Sequence, residues 1–318
     1  MFTTNIIHFL QQFDHPIFHA FMVLISALGI TPWVITVIIG ITFAIDFKKG
    51  LVLINIVAWT AFFTVFLKEE VNYPRPAQLD INLKFSQYDK IETDYSQQLP
   101  AAFYEGISED LLKQTRPTTI DLRGFPSGHT SAQVALWIGL VFLFKRKWML
   151  ITGVLMVILT SISRMYLGSH FLGDVLAGLL IGVITSFALI FLVRKTKYME
   201  KNTHDVKSLS FLWLPLFLII VAPFTPHWLS GSIIGLNLAA ILTILQRNFP
   251  VFHIIIWKRV AAAAITLILF LIGFYFIHTY QFSKNDYLDI ILIAALTFAI
   301  IRGSLSINRR LHFIRFRY

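Results

Sequence analysis

The chain of 318 residues contains no cysteine and few charged side chains, and both shortages restrict what it can be. Without cysteine it has no disulfide, no thiolate metal ligand and no cysteine nucleophile. Charged residues make up 14% of the sequence, whereas an ordinary globular domain carries about 25%. Hydrophobic residues make up 56%, and the mean hydropathy is +0.70. This composition argues against a soluble enzyme, a disordered scaffold or a nucleic-acid-binding domain, and favours a multi-span helical membrane protein.

Long apolar runs separated by polar breaks predict an all-α fold with about nine transmembrane helices. The predicted spans are 31–46, 50–68, 129–144, 148–163, 172–193, 209–225, 229–246, 259–278 and 286–302. Polar residues and a proline interrupt segment 9–29, so we predict an amphipathic helix in the membrane interface there, with a tilted tenth span as the alternative. The first Lys or Arg is Lys48, so we expect no cleaved signal peptide.

The order of spans and breaks also predicts the domain organisation. We expect a membrane core at 1–195, a cytoplasmic linker at 196–208, a C-terminal membrane extension at 209–302 and a basic tail at 303–318. Within the core, 77–125 is a long polar connector with the size of a lid or substrate-binding element.

The basic residues are distributed unevenly between the predicted loops. Of 27 Lys and Arg, eighteen follow the odd-numbered spans, which places them on one face of the membrane if the spans alternate. Loops rich in Lys and Arg are cytoplasmic in most membrane proteins, so the net charge of +10 has an explanation that needs no nucleic acid.

Three short stretches on the opposite, outer face carry an unusual set of polar residues. The first contains Lys68 and Arg75, seven residues apart, at the end of the second span. A straight helix would place both on one face, and Pro74 and Pro76 end the helix and fix the backbone around Arg75. Two such cations suit a phosphate dianion, although residues that snorkel at a helix end are the simpler alternative.

The second stretch is 124–130, immediately before the third span. A turn of small residues that enters a helix presents free backbone N–H groups, which form an anion site. Ser127 adds a hydroxyl, Gly128 permits close approach to the backbone, and His129 can exchange a proton near neutral pH.

The third stretch, 163–174, joins the fourth and fifth spans. His170 and Asp174 are four residues apart and would share a face if a helix begins near His170. A hydrogen bond from one ring nitrogen to the carboxylate would fix the tautomer and leave the other nitrogen available for attack.

Taken together, the three stretches resemble the signature of the type-2 phosphatidic acid phosphatase superfamily of integral membrane phosphatases. That signature is K-x6-R-P, P-S-G-H and S-R-x5-H-x3-D, and every position is matched here in order. The matched residues are Lys68, Arg75, Pro76, Pro126, Ser127, Gly128, His129, Ser163, Arg164, His170 and Asp174. The resemblance covers about 10–195, which implies a six-helix-type phosphatase core, and the four C-terminal spans lie outside it.

The resemblance also implies a role for each matched side chain. His170 would be the nucleophile that forms a phosphohistidine, with Asp174 orienting it, and His129 would protonate the leaving oxygen and then activate water. The groups expected to hold the non-bridging oxygens are Lys68, Arg75, Ser127, Gly128 and Arg164, with Arg123 as an outer candidate. No metal or other cofactor is expected.

The implied function is a membrane lipid phosphatase that hydrolyses a phosphate monoester or diphosphate, with its site on the periplasmic side of a bacterial inner membrane. The candidate substrates are undecaprenyl diphosphate, phosphatidylglycerophosphate, phosphatidic acid and a lipid A phosphate. A lipid phosphotransferase with the same intermediate is one alternative, and a lipid transporter or flippase is another. We interpret the scattered polar residues of the C-terminal half as packing or interfacial groups, namely His227, Asn237, Gln246, His253 and His278.

Overall fold

The computed structural model describes residues 1–29, 31–85, 93–102, 104–199, 209–221, 224–246, 249–252, 255–280 and 282–317. Most of the predicted linker and His253 lie outside the described residues.

Within these residues the chain folds almost wholly into helices. The α-helices are α1 (Asn5–Gln11), α2 (Pro16–Ala27), α3 (Thr31–Gly40), α4 (Phe47–Val71), α5 (Glu109–Thr115), α6 (Gly128–Phe144), α7 (Lys147–Tyr166), α8 (Leu172–Lys195), α9 (Ser210–Trp213), α10 (His227–Leu245), α11 (Ile256–Thr279) and α12 (Asp286–Arg310). A π-helix at Ile41–Ile45 continues α3, and 3-10 helices lie at Pro76–Gln78, Ser96–Gln98, Ile120–Leu122 and Leu214–Ile219. One antiparallel pair of short strands, β1 (Phe249–Phe252) and β2 (Ile314–Arg317), completes the list of elements.

The predicted class, a polytopic helical membrane protein, is confirmed. Among the described residues six helices are long and apolar enough to cross a membrane: α4, α7, α8, α10, the Ile256–Ile277 part of α11, and α12. The pair Pro16–Ala27 and Pro32–Ile45 brings the number to seven if it forms one broken span.

Two of the nine predicted runs form shorter helices in the described part of the chain. The run 129–144 forms α6, whose 17 residues lie at the lower end of the range of about 17–25 that crosses a membrane. In the run 209–225, the described residues form the four-residue helix α9 and then a 3-10 helix that contains Pro215. Proline has no backbone N–H and clashes with the preceding turn, so an apolar run containing it does not continue as one α-helix.

The chain divides into two compact units, and the first comprises Met1–Val34 and Phe63–Ser186. Its helices α6 and α8 approach closely through Gly178 and Gly182, where an added Cβ would lie 2.5 Å from the carbonyl oxygen of Ser127 and 2.7 Å from Cβ of Val134. The buried Gln11 of α1 donates to the carbonyl oxygen of Tyr166 at the end of α7 over 2.8 Å. These contacts hold α6 to α8 and α1 to α7, and the ends of α6, α7 and α8 carry the second and third motifs.

The second unit comprises Ile35–Phe62 and Phe187–Tyr318. In α10, Gly231 and Gly235 are one turn apart and lie against Ile293 and Ala294 of α12. Small residues at this spacing allow two membrane helices to approach closely. At the start of α10, Nδ1 of His227 lies 3.3 Å from Oδ2 of Asp289. The domain boundaries proposed from the sequence stay a prediction.

Candidate active site

All residues of the three motifs lie in the first unit, and backbone hydrogen bonds join the stretches that carry them. Pro74 forms an antiparallel bridge with Arg123, and the N–H of Gly124 donates to the carbonyl oxygen of Tyr73 over 2.7 Å. The N–H of Ser127 donates to the carbonyl oxygen of Asp174 over 2.9 Å. Each motif is therefore held to another by its main chain, independently of the side chains that carry chemistry.

Arg75 connects the first motif to the third. Its Nη1 donates to the carbonyl oxygen of Ser169 over 2.9 Å and lies 3.4 Å from Nε2 of His170. Its Nε donates to the carbonyl oxygen of Asp121 over 3.0 Å. With only 7% of its surface exposed, the guanidinium is a buried, oriented cation beside an imidazole, as expected from its position between Pro74 and Pro76.

Lys68 connects the first motif to the second. It lies in the last turn of α4, and its Nζ donates to the carbonyl oxygens of Arg123 and Gly124 over 2.9 and 3.1 Å. The ammonium group therefore holds the loop that leads into α6. Sequence reasoning expected Lys68 to face an anion, whereas the hydrogen bonds described for its ammonium group go to carbonyl oxygens.

The second motif forms the entry to α6, with Ser127 as the N-cap residue. The Ser127 side chain is fully buried, and its Oγ accepts a hydrogen bond from Oγ1 of Thr130 over 3.1 Å. A Cβ added on Gly128 would make only an ordinary van der Waals contact, at 3.8 Å from Cγ2 of Thr64, so packing does not require a glycine here. The first turn of a helix presents N–H groups and partial positive charge, which suits an anion.

The third motif begins in the last turn of α7 and ends in the first turn of α8. Nδ1 of His170 lies 3.3 Å from Oδ2 of Asp174, and that oxygen also accepts the N–H of Phe171 over 2.9 Å. The helix begins at Leu172, two residues later than the spacing argument assumed, but the predicted His–Asp pair forms nevertheless. The reason is that the Asp174 carboxylate caps the turn that carries His170.

The surroundings of His170 determine its protonation. Burial of the ring lowers the pKa of His170 well below its ordinary 6.5, and the positive charge of Arg75 lowers it further. A guanidinium can only donate hydrogen bonds, so Nε2, which faces Arg75, carries a lone pair. Nδ1 then holds the proton and donates it to Asp174, a tautomer inferred from these partners. The ring is thus neutral, and its unprotonated Nε2 faces the Arg75 guanidinium.

Sequence reasoning missed one buried contact of the site. Nη1 of Arg164 donates to Oγ of Ser26 over 2.7 Å, and each residue is only 3% exposed. Ser26 is the single hydroxyl residue of α2, which was the only signal in the sequence. The residues matched to the signature, by contrast, all lie within the three motifs.

No group of three or more His, Asp or Glu that could hold a metal ion occurs among the residues that the structure describes. Metal independence stays a prediction from the sequence.

Comparison with known proteins identifies residues 49–198 as a match to the family described as the PAP2 superfamily, so the family expected from the motifs is confirmed. The lipid A 4'-phosphatase of Bacteroides thetaiotaomicron is 39% identical over 81 residues, which are 25% of this chain and 36% of that protein. The undecaprenyl-diphosphatase of Sulfolobus acidocaldarius is 36% identical over 81 residues, or 26% of this chain and 37% of that protein.

A 22.5 kDa protein from the cps region of Klebsiella pneumoniae is 30% identical over 111 residues, or 33% of this chain and 49% of that protein. The chain thus spans between about a third and a half of the length of these relatives. No solved structure gives a significant match. All eight predicted site residues lie within the matched segment 49–198.

Proposed function

We propose that this protein, whose residues 49–198 belong to the PAP2 superfamily, is a membrane lipid phosphatase that works through a phosphohistidine. The observation that supports this most is the buried His170, whose Nδ1 lies 3.3 Å from Asp174 and whose Nε2 lies 3.4 Å from the Arg75 guanidinium. A neutral imidazole with its free nitrogen beside a cation is suited to attack a phosphorus atom whose oxygens that cation holds.

In the first chemical step, Nε2 of His170 forms a bond to phosphorus while the bond from phosphorus to the leaving oxygen breaks. His129 enters this step protonated, gives that proton to the leaving oxygen and becomes neutral, so the lipid departs as a neutral alcohol or as a protonated lipid phosphate. Positive charge develops on the His170 ring, and the hydrogen bond from Nδ1–H to Asp174 stabilises it.

In the second step, water attacks the phosphohistidine. His129 accepts a proton from the water, the bond from nitrogen to phosphorus breaks, and inorganic phosphate leaves. Both residues return to their starting states, and the sum of the two steps is hydrolysis of one phosphoric ester or anhydride bond.

The cations and N–H groups around the pair would hold the three non-bridging oxygens. Lys68 donates to two carbonyl oxygens among the described residues, which leaves the third N–H of its ammonium group for phosphate. Arg75 and Arg164 contribute planar donor groups, and Ser127 and the N–H of Gly128 contribute the helix entry. These contacts stabilise charge in the transition state, which is the main requirement of phosphoryl transfer.

The names of the relatives suggest two substrate classes, a lipid A phosphate and undecaprenyl diphosphate. A site built at the ends of apolar helices lies where a lipid headgroup lies, which favours a phosphorylated lipid over a free metabolite. We propose that the protein lies in a bacterial inner membrane with this site facing the periplasm, since the basic loops follow the opposite ends of the helices. We further propose that the 77–125 loop and the C-terminal extension select the lipid.

The test is release of inorganic phosphate by the purified full chain in lipid nanodiscs. The substrates are undecaprenyl diphosphate, phosphatidylglycerophosphate, phosphatidic acid and a lipid A phosphate. His170→Asn should abolish release, whereas His312→Asn should retain it, because His312 is exposed and has a left-handed backbone (φ 57°) that asparagine also adopts.

Several outcomes would overturn the proposal. If His170→Asn were as active as the unaltered chain, His170 could not be the nucleophile. Complete loss of activity with EDTA, restored by Mg²⁺, would refute a metal-independent site. Phosphate release only in the presence of a second lipid that becomes phosphorylated would establish a phosphotransferase, and lipid movement without any hydrolysis would establish a transporter.

A further inference from the structure

Helix α2 lies outside the segment that matches the family, but its last turn and the residues just after it lie next to two of the predicted site residues. Ser26, in its last turn, accepts the hydrogen bond from Nη1 of Arg164 over 2.7 Å. Gly29 follows two residues after the helix, and a Cβ added there would lie 3.1 Å from Cδ2 of His129. The end of α2 therefore forms a wall of the candidate site, although the family match begins only at residue 49.

This end of α2 is fixed to both helices that carry those residues. Oγ of Ser163 in α7 donates to the carbonyl oxygen of Met22 over 2.9 Å, one turn before Ser26. Nε2 of Gln133 in α6 donates to the carbonyl oxygen of Leu28 over 2.6 Å, two residues after Ser26. The position of the Ser26 hydroxyl is thus set independently of the bond that it forms with Arg164.

The bond itself joins a buried guanidinium to a buried hydroxyl. Arg164 and Ser26 are each 3% exposed, so the contact is shielded from bulk solvent. A hydrogen bond to a charged group is stronger than one between neutral groups, and the planar guanidinium transmits its orientation to all its N–H groups. The bond to Ser26 therefore constrains how the remaining N–H groups of Arg164 are oriented.

We infer that Ser26 is a positioning residue that orients Arg164 for phosphate binding, so that α2 is part of the functional unit of the phosphatase. This inference rests on the proposed function, because Arg164 is assigned there to the phosphate oxygens. Ser26 does not itself contact the reacting atoms, and it acts through the guanidinium.

The test compares Ser26 variants of the full chain in nanodiscs by two measurements, kcat/KM for lipid phosphate and the inhibition constant of orthovanadate. We expect Ser26→Ala to lower kcat/KM about ten-fold and to weaken vanadate binding by a similar factor, since a hydrogen bond to a charged group is lost. Ser26→Cys keeps the shape with a poor acceptor and should behave like Ser26→Ala. Ser26→Thr keeps the hydroxyl and should restore most of the loss.

The matched control is Ser161→Ala on α7, whose hydroxyl donates to the carbonyl oxygen of Val157 in its own helix. It should leave both measurements unchanged. The decisive comparison adds Ser26→Ala to Arg164→Ala. A positioning role predicts no further loss in the double variant, whereas a merely structural role predicts losses that multiply.

The inference is overturned if Ser26→Ala and Ser26→Cys equal the unaltered chain, or if the losses in the double variant multiply. If the unaltered chain released no phosphate from any lipid, the proposed function would fail. Direct titration with inorganic phosphate would then decide the role of Ser26, because an affinity unchanged by Ser26→Ala would refute it.

Discussion

At the scale of single side chains, Arg75 lies beside His170 and bears on its protonation. Its guanidinium faces Nε2 of His170 at 3.4 Å, which requires a lone pair on that nitrogen. The same positive charge opposes protonation of the ring. Arg75 thus both holds phosphate in the proposed mechanism and keeps the nucleophile in its reactive form.

This arrangement predicts an unusual pH dependence. Burial, and next the charge of Arg75, lower the pKa of His170, so the neutral ring persists as the pH falls below 6.5. We expect the acidic limb of kcat/KM to lie below pH 6.5. In Arg75→Gln one of the charges that lower the pKa is absent, so the limb should move to higher pH while the overall rate falls. Profiles measured from about pH 4 to 8 test this, and coincident limbs would contradict it.

A second residue-scale prediction concerns His129. If it protonates the leaving oxygen, His129→Asn should slow turnover of a lipid phosphate by about 10²–10⁴-fold. With p-nitrophenyl phosphate the leaving phenolate needs no proton, so the first step should stay fast and the second should be slow. Stopped-flow measurement should then show a burst of p-nitrophenol close to one per enzyme. Absence of a burst, with equal loss for both substrates, would refute the role of His129 as acid.

The motif residues and Ser26 differ in how far the sequence reveals them. Lys68 with Arg75, and His170 with Asp174, lie close together in the sequence, so the short stretch of chain between them limits how far apart each pair can lie, although α4 ends at Val71 and α8 begins at Leu172. Ser26 meets Arg164 across 138 residues of sequence. Such a contact depends on how helices pack, which local periodicity does not determine. The hydrogen bonds of Lys68 to the loop before α6 could not be predicted, for the same reason.

Between elements, α8 lies close to the entry of α6 at Gly178. A Cβ on Gly178 would lie 2.5 Å from the carbonyl oxygen of Ser127, which is backbone and cannot turn aside. We expect Gly178→Ala to displace the anion-binding turn, to destabilise the protein by about 1–3 kcal/mol and to lower kcat/KM.

The control for this variant is Gly303→Ala in α12, where no atom lies within 4 Å of the added Cβ. Alanine should stabilise that helix by about 0.5–1 kcal/mol and leave turnover unchanged. Thermal unfolding in detergent and phosphate release measure the two effects. Equal behaviour of the two variants would show that the approach of α8 to Ser127 is unimportant.

The helices themselves were largely predictable because the apolar runs are long, and α4, α7, α8, α10, α11 and α12 were all expected. The apolar runs did not show where an α-helix is interrupted or how long it is. Pro215 ends α-helical geometry within an apolar stretch, and α6 is only 17 residues long. Hydropathy measures the preference of a segment for lipid, whereas helix continuity depends on backbone hydrogen bonds.

For the whole molecule, the orientation in the membrane is the feature that most needs an experiment. Since the sequence has no cysteine, single cysteines report on sidedness without background. Tyr104→Cys, at a residue 83% exposed in the 77–125 loop, should react with a membrane-impermeant maleimide in intact bacterial cells. Arg146→Cys, in the exposed turn between α6 and α7, should react only after the membrane is opened. The reverse pattern would place the site in the cytoplasm.

The central claim, that phosphate passes through His170, is tested most directly by mass spectrometry of rapidly quenched enzyme. The full chain is mixed with lipid phosphate, quenched at alkaline pH and digested. The account predicts a phosphoryl group on the peptide that carries His170, in larger amount in His129→Asn, where the second step is slow. Full turnover with an unmodified His170 at every time point would contradict it.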